Sequence, residues 1–311
     1  MGSYAVEVCD LVKEFDGRRV LDHVTFNVRE GEVFGYLGPN GAGKTTTLRI
    51  LLGLIKPTSG KVVVLGEDPV NNDELRVRVG VLLESDGLYD TLTAFENLDF
   101  YARLYGLSNS SERRERIVKL LKFMGLYERK DDKVGCFSRG MRRKLGIMRA
   151  IVHSPEVVFM DEPMSGLDPE TRAIIRSLIV KLAKEESVTM FIISHDLHDV
   201  EEICSSAAIL INGRIIANGL IENLKRRFGK PVVEITFVDE LSAVKGLRIL
   251  RKKGLECVKD RCCLCMIPED NDVLGILRYL AEEGLKIVSV KEREASLEDI
   301  YMSIVKEVDV K

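Results

Sequence analysis

Short apolar runs separated by polar and glycine-rich breaks organise the chain, and the spacing of apolar positions changes from run to run. Residues 33–37, 157–160 and 188–193 are almost continuously apolar and of strand length, as expected of strands buried on both faces of a parallel sheet. After the first of them, Leu48, Leu51, Leu52 and Ile55 recur at i, i+3, i+4 and i+7, which predicts a helix with one apolar face. Residues from about 95 to 130 read as helical, with Ile117, Leu120, Leu121 and Met124 as their buried stripe. Two apolar segments, 208–211 and 214–217, flank Asn212-Gly213, residue types that tolerate the positive φ of a tight turn, so a hairpin is expected there as an antiparallel edge.

A helix over 221–228 leads to Gly229-Lys230-Pro231, where a domain boundary is expected. Beyond it the pattern predicts strand (232–238), helix (241–253), strand (255–259), strand (262–267), helix (273–283) and strand (286–291). This β-α-β-β-α-β order fits a small α+β ferredoxin-like domain. Leu297, Ile300, Tyr301 and Ile304 then repeat the i, i+3, i+4, i+7 spacing of a closing helix.

Composition narrows the function classes. The 311 residues are 45% hydrophobic and 31% charged, an ordinary balance for a globular protein with one large and one smaller domain. A formal net charge of −3 gives no reason to expect nucleic acid as a partner. No apolar stretch approaches the roughly 20 residues that a membrane helix needs, so the chain is expected to form no pore by itself. The opening MGSYAVEVCD lacks the basic start and apolar core of a secretion signal, so a cytoplasmic location is expected, with the seven cysteines mostly reduced. Cys262-x-x-Cys265, with Cys263 between them and Cys257 upstream, has the spacing of a metal site. A strand through 262–267 sets Cys263 and Cys265 on one face and Cys262 on the other, so small buried apolar side chains are the favoured reading.

The candidate chemistry lies at the ends of the apolar runs. Residues 33–37 lead directly into Gly38-Pro39-Asn40-Gly41-Ala42-Gly43-Lys44-Thr45-Thr46, followed by the predicted helix: the strand, glycine-rich loop and helix context of the phosphate-binding pattern G-x-x-x-x-G-K-[ST]. Glycines let backbone N–H groups converge on phosphate oxygens, and the helix brings the positive end of its dipole to the same point. Lys44 is placed to neutralise the β and γ phosphates and Thr45 to offer Mg²⁺ a hydroxyl. The run 157–160 ends in Asp161-Glu162, two carboxylates at the edge where open parallel sheets bind ligands. Asp161 is the candidate Mg²⁺ holder and Glu162 the group that orients or deprotonates the attacking water. The run 188–193 ends in Ser194-His195, bringing an imidazole to the same edge, within reach of a γ phosphate; the alternative is a histidine that merely precedes the helix beginning near Asp196.

Between these elements, Phe137-Ser138-Arg139-Gly140-Met141 resembles the signature of the ATP-binding cassette family, usually Leu-Ser-Gly-Gly-Gln. It keeps the serine and second glycine and has Arg139 and Met141 at two other places, a variation similar to the drug- and antibiotic-exporter branch. The resemblance extends over residues 4 to 229, through Ser165-Gly166-Leu167-Asp168, the switch histidine His195, and Phe15 at the position that stacks on adenine. It implies an α/β phosphate-loop cassette over 1–229, a mixed sheet with a helical subdomain at about 90–155, and an accessory domain over 230–311. It also implies ATP and Mg²⁺ as cofactors, and a sandwich dimer in which Ser138 and Gly140 of one subunit meet the phosphates on Lys44 of the other, whether that partner is a second copy or a related cassette. A separate integral membrane permease, contacted by residues 85–93, would place the chain on the inner face of the cell membrane. One departure matters: Glu84 stands where the family has a glutamine that touches Mg²⁺ and the lytic water, so a negative charge lies beside the γ phosphate. A soluble cassette ATPase acting on ribosomes or DNA is the alternative, although the chain has one cassette and no heptad run; a non-catalytic nucleotide binder would typically lack Glu162 or His195, and both are present.

Overall fold

The computed structural model describes residues 3–70, 72–229, 231–252, 255, 257–266 and 273–309. The chain divides into two compact units, Met1–Ile221 and Glu222–Lys311. The division falls after the first residue of the helix over 221–228, where the sequence pattern suggested residue 229.

The first unit opens with two 12-residue strands, β1 (Tyr4–Phe15) and β2 (Arg18–Arg29), paired antiparallel. It continues through β3 (Val33–Leu37), α1 (Lys44–Leu51), β4 (Ser59–Val64), the single turn α2 (Asp73–Arg76) and β5 (Val79–Leu82). Three helices follow, α3 (Ala94–Leu104), α4 (Ser110–Phe123) and α5 (Arg139–Ile151). The remainder alternates: β6 (Val157–Asp161), α6 (Pro169–Glu185), β7 (Thr189–Ser194), α7 (Leu197–Ile203), β8 (Ser206–Ile211) and β9 (Arg214–Leu220).

Two sheets result. One is antiparallel, in the order β2-β1-β4; the other has six strands in the order β5-β6-β7-β3-β8-β9, parallel except for β9, which pairs antiparallel with β8 as the hairpin pattern predicted. The sheets share a core because β2 alternates, sending Leu21, Val24, Phe26 and Val28 inward. Phe26 meets Phe34, Tyr36 and Phe191 from β3 and β7, with ring centroids 5.2–5.9 Å apart, all four rings being fully buried.

The apolar spacing overstates two helices. Helix α1 stops at Leu51: Gly53 takes φ +67°, its N–H donates to Ile50, and the Leu54 N–H reaches back to Arg49, a left-handed termination that leaves Ile55 beyond the helix although still packed on the core. The stretch from 95 to 130 is two α-helices followed by a 3₁₀ turn at Tyr127–Arg129. Gly106 at φ +90° breaks the first and Asn109 caps the second.

The second unit takes all but the first residue of α8 (Ile221–Phe228) and continues through β10 (Val232–Phe237), α9 (Glu240–Lys252), β11 (Cys257–Asp260), β12 (Cys263–Met266), α10 (Val273–Glu282), β13 (Ile287–Arg293) and α11 (Leu297–Asp309). Its sheet is antiparallel, in the order β11-β12-β10-β13, the pairing of a split β-α-β repeat. Ile235, Phe237, Leu264 and Leu280 lie in its core. Cys262 lies in the turn before β12 and not in the strand, so the two-faced arrangement of cysteines expected for 262–267 reduces to Cys263 and Cys265 on one face; Ile267, Lys230 and Lys253 lie outside the described residues. No group of three His, Cys, Asp or Glu suited to a metal ion occurs among the described residues.

Candidate active site

Three parallel strands deliver the chemistry to one edge. Strand β3 runs into the loop 38–43, β6 ends at Asp161 and β7 ends at Ser194; in the sheet order β6-β7-β3 these ends are neighbours. The loop closes on α1 through Gly43 at φ +110°. A Cβ there would lie 2.6 Å from the Leu21 side chain, so the conformation and the space both require glycine. A cavity of about 670 Å³ forms at this edge, and Asn40, Gly41, Gly43, Lys44, Thr45 and Thr46 supply one wall. Glu84, Asp161, Glu162 and His195 also line the cavity.

The Lys44 ammonium donates to the carbonyls of Gly38 at 2.7 Å and Pro39 at 3.0 Å, so Gly38 belongs to the loop through its carbonyl. Burial holds the Lys44 ammonium below the usual lysine range, opposed by Glu162 and Asp161. Burial also raises the Asp161 carboxyl, assisted by the charge of Glu162 and, more weakly, of Glu84, while Lys44 and Arg143 work against the shift. A buried carboxylate pushed upward in this way favours an arriving cation. Glu162 itself is gripped: the His195 ring Nδ1–H donates to Glu162 Oε1 at 2.7 Å, and the His195 backbone N–H donates to the same oxygen at 3.0 Å. Asp196 caps α7 by accepting from Asp199, so His195 is the last residue before the helix cap.

Other candidate residues stand apart. Ser138 caps α5 by accepting from the Met141 N–H, and with Gly140 and Asp168 it lines a second cavity of about 320 Å³. Asp168 caps α6, accepting from the Thr171 N–H at 2.9 Å. Phe15 is 44% exposed, carries the Lys13 ammonium 4.7 Å from its ring centroid, and does not line the larger cavity.

Two arginines of α5, Arg142 and Arg143, enter the site without having been singled out from sequence, where they form only a basic run after the signature, and Arg139 of the signature itself joins them. Arg142 binds Asp86 at 2.8 Å. Arg143 donates to the carbonyls of Leu83 and Pro163, each at 3.0 Å, and of Asp161 and Glu162, each at 2.6 Å. Arg139 lines both cavities. The placement of Arg142 and Arg143 just over one turn from Ser138 was visible in the sequence, but their targets were not.

A glycine loop at a helix start, an ammonium and two carboxylates at the carboxyl edge of a parallel sheet define a phosphate-loop nucleotide-binding site. Comparison with known proteins agrees: residues 21–165 match the family described as ABC transporter, and residues 219–305 match ATP-binding protein DrrA1-3-like, C-terminal domain. The bacitracin transport ATP-binding protein of Bacillus licheniformis is 35% identical over 308 residues, covering 97% of this chain and 98% of the relative. Nod factor export ATP-binding protein I of Ralstonia nicotianae is 35% identical over 300 residues, covering 94% of this chain and 91% of the relative. The solved dimeric structure of a post-hydrolysis ATP-binding cassette bound to ADP and Pi shares 27% identity at a TM-score of 0.63, covering 69% of this chain and 98% of that one. The chain belongs to the ATP-binding subunits of ATP-binding cassette transporters and is an ATPase. No helix among the described residues is long and apolar enough to cross a membrane.

Proposed function

We propose that the chain drives export through a separate membrane permease, with two cassettes closing on ATP. The observation that carries this reading is the separation of the two cavities. Lys44 and Glu162 line one, Ser138 and Gly140 the other, and of the signature only Arg139 lines both, so Ser138 and Gly140 do not line the phosphate-loop cavity of their own chain. Nothing local requires a glycine at 140: a Cβ there would meet Thr171 at 3.6 Å, an ordinary contact. A bare backbone is useful if a partner's phosphate approaches it. A two-fold sandwich supplies that approach, with the same patch used on both partners.

In the proposed site Lys44 binds the β and γ phosphates, the loop from Gly38 to Thr46 supplies backbone donors, and Phe15 stacks on adenine. Asp168, near the partner's site, orders the segment that closes with it. The oxygen donors of Thr45, Asp161 and Glu84 suit Mg²⁺, with phosphate and water completing the ligand set; bound there, the ion neutralises charge on the phosphates. Glu162 takes the proton of the attacking water, and His195 holds Glu162 now and the γ phosphate once it arrives. The cargo class, an antibiotic or similar amphiphile, is proposed from the bacitracin and Nod factor relatives.

Residues 85–93 are the proposed permease contact. Tyr89 is 46% exposed and stands edge-on to the exposed Phe100 at 5.2 Å, an aromatic surface five residues along the chain from Glu84. Affinity capture from native membranes, with the full chain as bait, tests the reading. Recovery of a multispanning membrane protein with ATPase activity in the complex is the expected result, and recovery of ribosomal or DNA-repair proteins alone would replace it.

A further inference from the structure

We infer that Arg143 is a positioning residue for ATP hydrolysis, setting the place of Glu162 from the helix that begins at Ser138. The proposal rests on Glu162 acting as the hydrolytic carboxylate. The Arg143 guanidinium gathers four carbonyls: Asp161, Glu162 and Pro163 in succession at the end of β6, and Leu83 just before Glu84. No carboxylate is within hydrogen-bonding distance of it among the described residues, so its N–H donors are spent on backbone, while its charge is still felt by Asp161. This is unlike its neighbour Arg142, which pairs with Asp86.

The backbone it grips needs holding. Glu162 has φ +50°, a left-handed conformation that a glutamate adopts only when its surroundings impose it. Donors on the carbonyls before, at and after that residue fix both flanking peptides. Only a planar fork of five N–H donors reaches all four acceptors; the single ammonium of lysine does not. Because Arg143 lies five residues after Ser138 on the 13-residue helix α5, the signature turn, the carboxylate pair and the segment entering Glu84 are parts of one braced unit. A displacement of the signature turn by a partner's nucleotide would therefore be felt at Glu162.

The test uses the full chain with Mg²⁺-ATP and three variants: Arg143→Lys, Arg143→Ala and Glu162→Gln. Both Arg143 variants are expected to lose about 100-fold in kcat, the scale of a 1 Å misplacement, while equilibrium ATP binding stays within about threefold of wild type because the Lys44 loop is untouched. Ethylguanidinium added to Arg143→Ala should restore kcat about tenfold while leaving Glu162→Gln inactive. Should Arg143→Ala fail to fold, Arg143→Lys carries the test. Wild-type kcat in Arg143→Lys overturns the proposal, as does a parallel loss of ATP affinity, thermal stability and turnover, which marks Arg143 as a strut for the fold. Undiminished turnover in Glu162→Gln would instead remove the reading on which the proposal rests.

Discussion

Replacing Gly140 by alanine separates the stability of the chain from the proposed sandwich. Gly140 is the second residue of α5 and has no left-handed φ. An added methyl would meet Thr171 Oγ1 at 3.6 Å and Asp168 Oδ2 at 3.9 Å, both ordinary contacts, so no atom need move. Alanine is favoured over glycine in a helix interior by about 1 kcal/mol, and somewhat less in a first turn. The substitution should therefore stabilise the chain by about 0.5–1 kcal/mol and raise Tm by about 2 °C. In the proposed sandwich the same methyl would stand between the α5 N-terminus and the partner's phosphate. Holding the phosphate back from one backbone donor is expected to lower turnover by at least about tenfold. Thermal melting of the ligand-free chain and steady-state ATPase assays on the same preparation read both numbers. A fall in Tm would refute the local packing argument, and wild-type turnover would refute the placement of Gly140 against a partner.

Lys44→Ala removes the ammonium that the loop carbonyls hold in the larger cavity, and should reduce ATP turnover by about 100-fold or more; normal activity would sink the phosphate assignment. Glu84→Gln removes a negative charge that raises the neighbouring Asp161 carboxyl, so half-saturation by Mg²⁺ should need about threefold more metal, read from ATPase titrations; an unchanged Mg²⁺ titration with unchanged turnover would remove Glu84 from the site. His153 is buried, stacks on Tyr105 at 3.9 Å and has its pKa lowered to about 4 by burial. The folded state resists a proton that the unfolded chain takes up near pH 6.5. Stability is thus intact above about 6.5 and falls as pH drops toward 4, by at most about 3 kcal/mol. His153→Phe keeps the stack and should lack this loss in urea unfolding at pH 7 and 4.5; parallel pH profiles would contradict it.

The parts of the site legible in sequence are those made by residues close together in the chain. The loop 38–46 carries its glycines, cation and hydroxyls within nine residues, directly between its strand and its helix. Asp161-Glu162 and His195 were legible because each follows an apolar run, and parallel strands place such ends on one edge. Arg143 was not legible, because its role depends on Leu83, 60 residues earlier, and on carbonyls about 20 residues later, which no periodicity connects. The end of α1 was missed for the opposite reason: Leu52 and Ile55 continue the apolar spacing on the same core, while Gly53 ends the helix between them. Likewise, the apolar stripe of α4 said nothing of the break at Gly106, because burial on one core does not require a continuous helix.

Arg139 shows how the chain accommodates a departure from its family's signature. A long cation in place of glycine would obstruct the approach of a partner if it pointed outward. Instead its guanidinium turns back over Gly166, where a Cβ would lie 2.6 Å from Arg139 Cζ, and Nη2 reaches the Ser165 carbonyl at 3.5 Å. Gly166, at φ +68°, thus has two reasons to be glycine: its backbone conformation and the arginine lying on it. Arg139 and Gly166 are therefore a coupled pair, in which a larger residue at 166 would drive the guanidinium off its present seat. The seat of Arg139 is provided by a residue 27 positions away in the chain, and Ser138 and Gly140 still line a cavity, so the variant signature is compatible with the proposed approach of a partner.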